Sequence, residues 1–194
     1  MIGKIFKYLC FALMFFVVAV LGYRFYTLNY YPDFAEAVIR TDALVSGYNA
    51  DTLSGKTWKT PDKYDVNGYF FVHQPIYFEN EKTLIITIRY NNSLLEKLKF
   101  DGSSEELDLF PSLRSEGSER ILPFAYRHGE AYGIYSYRRY VFENVELEDT
   151  KQLLLDVHLD EAYEEAPYAR IEIYKESTRL KNYKLTRNDK NELK

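Results

Sequence analysis

The chain has 194 residues, with 29 acidic against 25 basic side chains for a net charge of −4, and a single cysteine. That length builds one domain plus extras, with a core that needs no covalent staples. The acidic balance repels nucleic-acid phosphates, and one cysteine excludes a disulfide framework.

Lys4 and Lys7 precede an uncharged run from Tyr8 to Tyr23, "YLCFALMFFVVAVLGY". A basic flank before an apolar run marks a signal anchor or a signal peptide. Sixteen uncharged residues fall short of the roughly 20 that cross a bilayer. Arg24 can snorkel, however, and "FYTLNYY" carries the aromatic character to Pro32. Tyr8 to Leu28 then rises roughly 30 Å, enough to span. Tyr23, Phe25, Tyr26, Tyr30 and Tyr31 fall where an interfacial aromatic belt belongs. We read residues 1–31 as an uncleaved anchor that meets the membrane through residues 8–28. The alternative is cleavage after Gly22, which releases a secreted protein, but that site lacks Ala-x-Ala and Tyr23 follows it. Lys4 and Lys7 hold the amino terminus in the cytoplasm, so a single-pass topology puts the rest outside, with Arg24 the one opposing charge. Cys10 lies within the anchor and is no lipoprotein cysteine. A cysteine-free exported body fits a bacterial envelope protein that relies on core packing. The sequon Asn91-Asn92-Ser93 acquires meaning only with a eukaryotic source.

Next in order, "DFAEAVIRTDALVSG" has helical spacing: Phe34, Val38, Thr41 and Val45 share a stripe, Pro32 or Asp33 starts it and Gly47 stops it. Residues 32–55 are thus a juxtamembrane helix and linker. From Lys56 the period becomes two, and residues 56–185 read as the main domain, followed by a charged tail at 186–194. "GYFFVHQ" and "IYFEN" are strands, with Pro75 a bulge or break between them. "TLIITIRY" sets Leu84, Ile86, Ile88 and Tyr90 against Ile85, Thr87 and Arg89. "SLLEKLKF" is ambiguous between a helical turn and a strand, and "DGSSEELD" is a loop. "RILPFAYR" and "AYGIYSYRRYVFENV" form a hairpin about His128-Gly129. "KQLLLDVHLD" alternates Leu153, Leu155, Val157 and Leu159 with Leu154, Asp156 and His158. "ARIEIYKE" puts Ala169, Ile171 and Ile173 on one face, and "LKNYKLT" is a final edge strand. Seven to nine short strands joined by turns predict an all-β fold, an antiparallel β-sandwich of immunoglobulin-like or jelly-roll-like kind.

"SGKT", Ser54 to Thr57, resembles the end of a phosphate-binding loop. That loop needs a glycine five residues before Gly55, where Ala50 stands, and a helix after it, where Trp58 and Pro61 stand. We read a polar turn entering the first strand, with Trp58 a core anchor. His73, His128 and His158 lack metal-ligand spacing. Ser46 and Ser136 lack a Gly-x-Ser-x-Gly elbow. Asp160, Glu161, Glu164 and Glu165 lack the alternating calcium-loop pattern. No catalytic residue, metal ligand or cofactor is expected.

Charge is uneven. Asp101 to Glu165 holds sixteen acidic and six basic residues, whereas Lys175 to Lys194 holds seven basic and three acidic. The basic end is read as a solvated tail.

The chain has 19 tyrosines and 13 phenylalanines, more than one core of this size uses. Several are interleaved with arginine: Tyr132, Tyr135 and Tyr137 stand among Arg127, Arg138 and Arg139. Alternation sets Tyr135, Tyr137, Arg139 and Val141 on one face, and Tyr132, Ile134, Ser136, Arg138, Tyr140 and Phe142 on the other. An exposed face of Tyr135, Tyr137 and Arg139, flanked by Arg127 and Tyr132, is a platform for an envelope glycan or protein. The expectation is a non-enzymatic, membrane-anchored binding or scaffolding protein. The other readings are an envelope carbohydrate-active enzyme and an accessory subunit of a membrane complex.

Overall fold

The computed structural model describes residues 2–29, 55–94, 97, 108–116, 121–148, 150–159, 163 and 166–183. The expected juxtamembrane helix at 32–55, the "SLLEKLKF" segment beyond Leu94 and Lys97, the carboxylates at 160–165 and the tail at 186–194 lie outside those residues. The chain divides into two compact units, Met1–Pro32 and Asp33–Lys194.

The first unit is α1 (Ile2–Asn29). Within its stretch Gly3–Tyr26 an 18-residue window reaches a mean hydropathy of 2.3, and the stretch is long and apolar enough to cross a membrane or to act as a signal sequence. The helix already starts at Ile2, because nothing between Gly3 and Tyr8 breaks helical hydrogen bonding.

The second unit is antiparallel β structure. Its strands are β1 (Gly55–Thr57), β2 (Phe71–Val72), β3 (Ile76–Phe78), β4 (Thr83–Asn91), β5 (Phe110–Ser115), β6 (Ile121–Pro123), β7 (Tyr126–Tyr132), β8 (Tyr135–Phe142), β9 (Gln152–His158), β10 (Ala169–Lys175) and β11 (Lys181–Tyr183). One sheet runs β11-β1-β3-β4-β8-β7, with β2 also paired to β4; the other runs β10-β9-β5-β6. Among the described residues eleven strands exceed the expected seven to nine, because "SGKT", read as a turn, supplies β1, and β5 forms in a stretch for which no strand was expected. β2 and β3 both pair with β4, at Val72↔Ile88 and Ile76↔Ile85, and the break between them holds Pro75. β11 is an edge strand, as its position in the sequence implies.

Both sheets feed one hydrophobic core. Leu84, Ile86, Ile88, Tyr90, Tyr140 and Phe142 come from the larger sheet, and Leu113, Leu153, Leu155, Val157, Ile171 and Ile173 from the smaller. Each such aliphatic side chain contributes about 1.5–3 kcal/mol on burial. Trp58 is the tie between sheets. Its indole N–H donates to the Ile173 carbonyl at 2.7 Å, and its ring meets Tyr174 edge-on at 5.6 Å. β4 is buried on both faces from Thr83 to Tyr90, so its polar members Thr87 and Arg89 lie inside as well.

The smaller sheet carries a buried carboxylate on the face away from that core. Asp156 receives two hydrogen bonds from Arg170, Nε to Oδ1 at 2.6 Å and Nη2 to Oδ2 at 2.9 Å, while Arg114 Nε lies 3.2 Å from Oδ2. Register explains the meeting, since Arg170 and Ser112 flank Asp156 directly and Arg114 stands one step along. Such a triad holds three strands in one register.

Candidate functional site

The hairpin expected to carry the site turns at a different place. β7 and β8 close through Gly133 and Ile134, with Tyr132 directly opposite Tyr135. Gly133 has φ +63°, which a two-residue loop with glycine first requires. His128 and Gly129, expected at the turn, lie mid-strand opposite Arg139 and Arg138. Gly129 is needed for space: a Cβ there would sit 2.3 Å from Arg138 Cδ, because the arginine side chain crosses the backbone. The moved turn also brings Tyr132 to the face of Tyr135, not to that of Tyr140.

The five expected residues separate. Tyr137 is 1% exposed and Arg139 4%, so neither forms an open platform. Tyr132 and Tyr135 are half-buried at the hairpin end. Arg127 is exposed, on the opposite face, where it pairs with Asp108 and lies 5.8 Å from the Phe110 ring centre.

Tyr135 instead joins a row that crosses the larger sheet. Arg89 Cζ lies 4.5 Å from the Phe71 ring centre and 4.6 Å from that of Tyr135. Phe71 stands directly opposite Arg89, and Tyr64 bridges to Phe71, their rings 5.0 Å apart. Cation–π contacts of this kind are worth about 2 kcal/mol when desolvated. Beside them, His73 sits 5.0 Å from Phe71 and 5.8 Å from Tyr137. Burial, with Arg89 and Arg139 adding positive charge, lowers its pKa to about 3. A histidine held neutral at physiological pH is an aromatic spacer here, not an acid or base.

The row ends at a braced loop between β1 and β2. The buried Asp65 carboxylate accepts the amides of Asn67 at 3.1 Å and Phe70 at 2.7 Å, and its carbonyl accepts that of Gly68 at 2.9 Å. Gly68 has φ +71°, and Phe70 is fully buried beneath. Bracing below pushes the tip outward: Val66 is 99% exposed, Tyr64 51% and Tyr69 46%. Tyr69 stacks on Tyr168 at 6.4 Å and 21°, and burial raises the Tyr168 pKa, which keeps that phenol a donor. The strand expected over residues 68–74 is shortened to Phe71–Val72 because this loop uses its first half. Asn67-Gly68 between aromatics is a turn signal, and it was the available clue to the tip.

Other candidates resolve structurally. Gly55, Lys56 and Thr57 of "SGKT" form β1 itself, paired to β3 and β11, and the Thr57 hydroxyl donates to the Pro75 carbonyl at 2.7 Å. A Cβ on Gly55 would sit 3.1 Å from the Phe78 ring, so glycine answers crowding there and an extended backbone replaces any phosphate cradle. His158 is buried with its ring 5.1 Å from Tyr163. Among the described residues, no group of three His, Cys, Asp or Glu side chains is placed to hold a metal ion.

No family model matches the chain, and neither does any curated protein or solved structure.

Proposed function

We propose that this chain is a non-enzymatic binding or scaffolding protein of a bacterial cell envelope, anchored by α1 with its β domain outside the cytoplasm. The β domain belongs in this reading to the immunoglobulin-like or jelly-roll-like sandwiches, supported by the single core that both sheets share. The observation that carries the functional reading is the tip: an aliphatic side chain almost wholly in water, flanked by two half-exposed tyrosines, on a loop whose shape Asp65 holds. A preformed loop presents such groups with little ordering cost on binding, and tyrosine is a frequent anchor at protein contacts. One valine between two phenols suits an apolar recess on an envelope protein; an envelope glycan would stack on the phenols alone.

The test uses the full chain in its own membrane, with a photo-crosslinking residue at position 66 or 69. A discrete protein adduct at both positions, the one at 66 lost in Tyr64→Ala/Tyr69→Ala and the one at 69 lost in Tyr64→Ala, supports the reading, and retention on purified wall glycan lost in the double variant supports the glycan arm. Absence of both adduct and retention rejects the tip as a binding surface. Topology is checked with a carboxyl-terminal tag: protection from external protease in intact cells rejects the anchored, outward arrangement.

A further inference from the structure

β7 is the outermost strand of the larger sheet, and its register decides which of its backbone groups are spare. In an antiparallel pair, a residue sends its N–H and C=O to the same side. The Asn92 amide donates to the Ile134 carbonyl at 3.0 Å, and the His73 amide to that of Thr87 at 2.9 Å. Ile134, Ser136, Arg138 and Tyr140 therefore turn toward β4, and Tyr135, Tyr137, Arg139 and Val141 toward β7. Their partners are Tyr132, Glu130, His128 and Tyr126. Arg127, Gly129 and Ala131 are left with amide and carbonyl aimed away from the sheet. Among the described residues nothing covers this edge: Arg127, His128 and Ala131 are exposed, and so is Tyr126 at 41%. It also lacks the lysine or proline that commonly blocks edge pairing.

We propose that β7 pairs antiparallel with β7 of a second copy of this chain, about a two-fold axis through Gly129. The order Tyr-Arg-His-Gly-Glu-Ala-Tyr is close to self-complementary. In this register Tyr126 falls opposite Tyr132, Arg127 opposite Ala131, His128 opposite Glu130, and Gly129 opposite itself. The three outward residues of each copy then meet three of the other, and six N–H···O bonds form without redirecting one bond to β8. Moving the axis by half a residue sets outward groups against inward ones. Moving it by one residue sets His128 on His128 or Glu130 on Glu130, and by two toward the amino end sets Arg127 on Arg127. The chosen register alone pairs all seven positions of the strand, and it sets no like charges opposite one another. The smaller residues fall at the hydrogen-bonded positions near the axis, while the imidazole and carboxylate positions occupy the closer, non-hydrogen-bonded pair. This pairing joins two larger sheets edge to edge and gives an isologous dimer.

The test is sedimentation velocity of the full chain in density-matched detergent, beside two variants. Ala131→Pro removes an outward N–H and leaves the β7–β8 ladder whole. It should keep the circular dichroism spectrum and melting of the parent while weakening the dimer about tenfold or more. In a Cys10→Ser background, His128→Cys/Glu130→Cys brings thiols onto backbones about 4.5 Å apart, within disulfide reach, so oxidation should give a covalent dimer. A parent monomeric at tens of micromolar overturns the proposal, and so does a dimer that survives Ala131→Pro without a cross-link from the cysteine pair.

Discussion

Trp58→Phe tests how the two sheets are held together. The substitution keeps an aromatic ring in the core but removes the indole N–H that donates to the Ile173 carbonyl at 2.7 Å. That carbonyl lies on a buried residue of β10, so it is left without its donor at about 1–3 kcal/mol. The smaller ring also vacates volume beside Tyr174, adding a cavity cost below the about 3–5 kcal/mol of complete truncation. Together these give a loss of about 2–4 kcal/mol. For a domain of this size, with a urea dependence of about 2 kcal/mol per molar, the unfolding midpoint should fall by about 1–2 M. The assay is urea unfolding of the full chain in detergent, followed by far-ultraviolet circular dichroism, because the only tryptophan has been removed. A midpoint within about 0.3 M of the parent would falsify the claim that the indole bridges the sheets.

His73 gives a pH signature. Its pKa falls from 6.5 to about 3 on folding, so the unfolded chain takes up a proton near pH 6.5 while the folded one does not. This stability is whole above pH 6.5 and is lost as pH falls toward 3, by about 2 kcal/mol between pH 7 and 5. His73→Phe should flatten that part of the pH–stability curve, and an unchanged slope would place the titration elsewhere. Gly129→Ala should cost about 1 kcal/mol or less, because the added Cβ meets only the far end of the Arg138 side chain, which can swing aside. Adding Arg138→Ala should restore most of it, and additive losses would show that Gly129 serves the backbone instead.

How much of this was readable depends on what each residue answers to. Lys4, Lys7 and the apolar run announce a helix because each of its residues favours one environment. Trp58 was readable as an anchor, and Pro75 as a break, since a large indole demands burial and a proline cannot complete a ladder. The hairpin was misplaced because it holds two glycines that serve different needs. Gly133 supplies a positive φ, Gly129 makes room for a side chain that arrives from the neighbouring strand. Composition near Gly129 cannot distinguish these, since Arg138 is nine residues away. Period two correctly grouped Tyr135, Tyr137 and Arg139, but alternation says which residues share a face, not whether that face meets water. Where β8 is covered on both faces, at Tyr137 and Arg139, the inference from shared face to exposed platform fails. The Asp65 loop shows the opposite case, in which local chemistry outweighed strand propensity in "GYFF".

β4 has neighbours along both edges, and its residues from Thr83 to Tyr90 are covered on both faces. Solvent deuterium has no local route to its amides, so their exchange must wait for the whole domain to come apart. The slowest-labelling peptide should therefore span Leu84 to Tyr90, and its rate serves as a built-in thermometer for global unfolding. Labels entering the loop at Asp65 to Gly68 report only what happens at the tip.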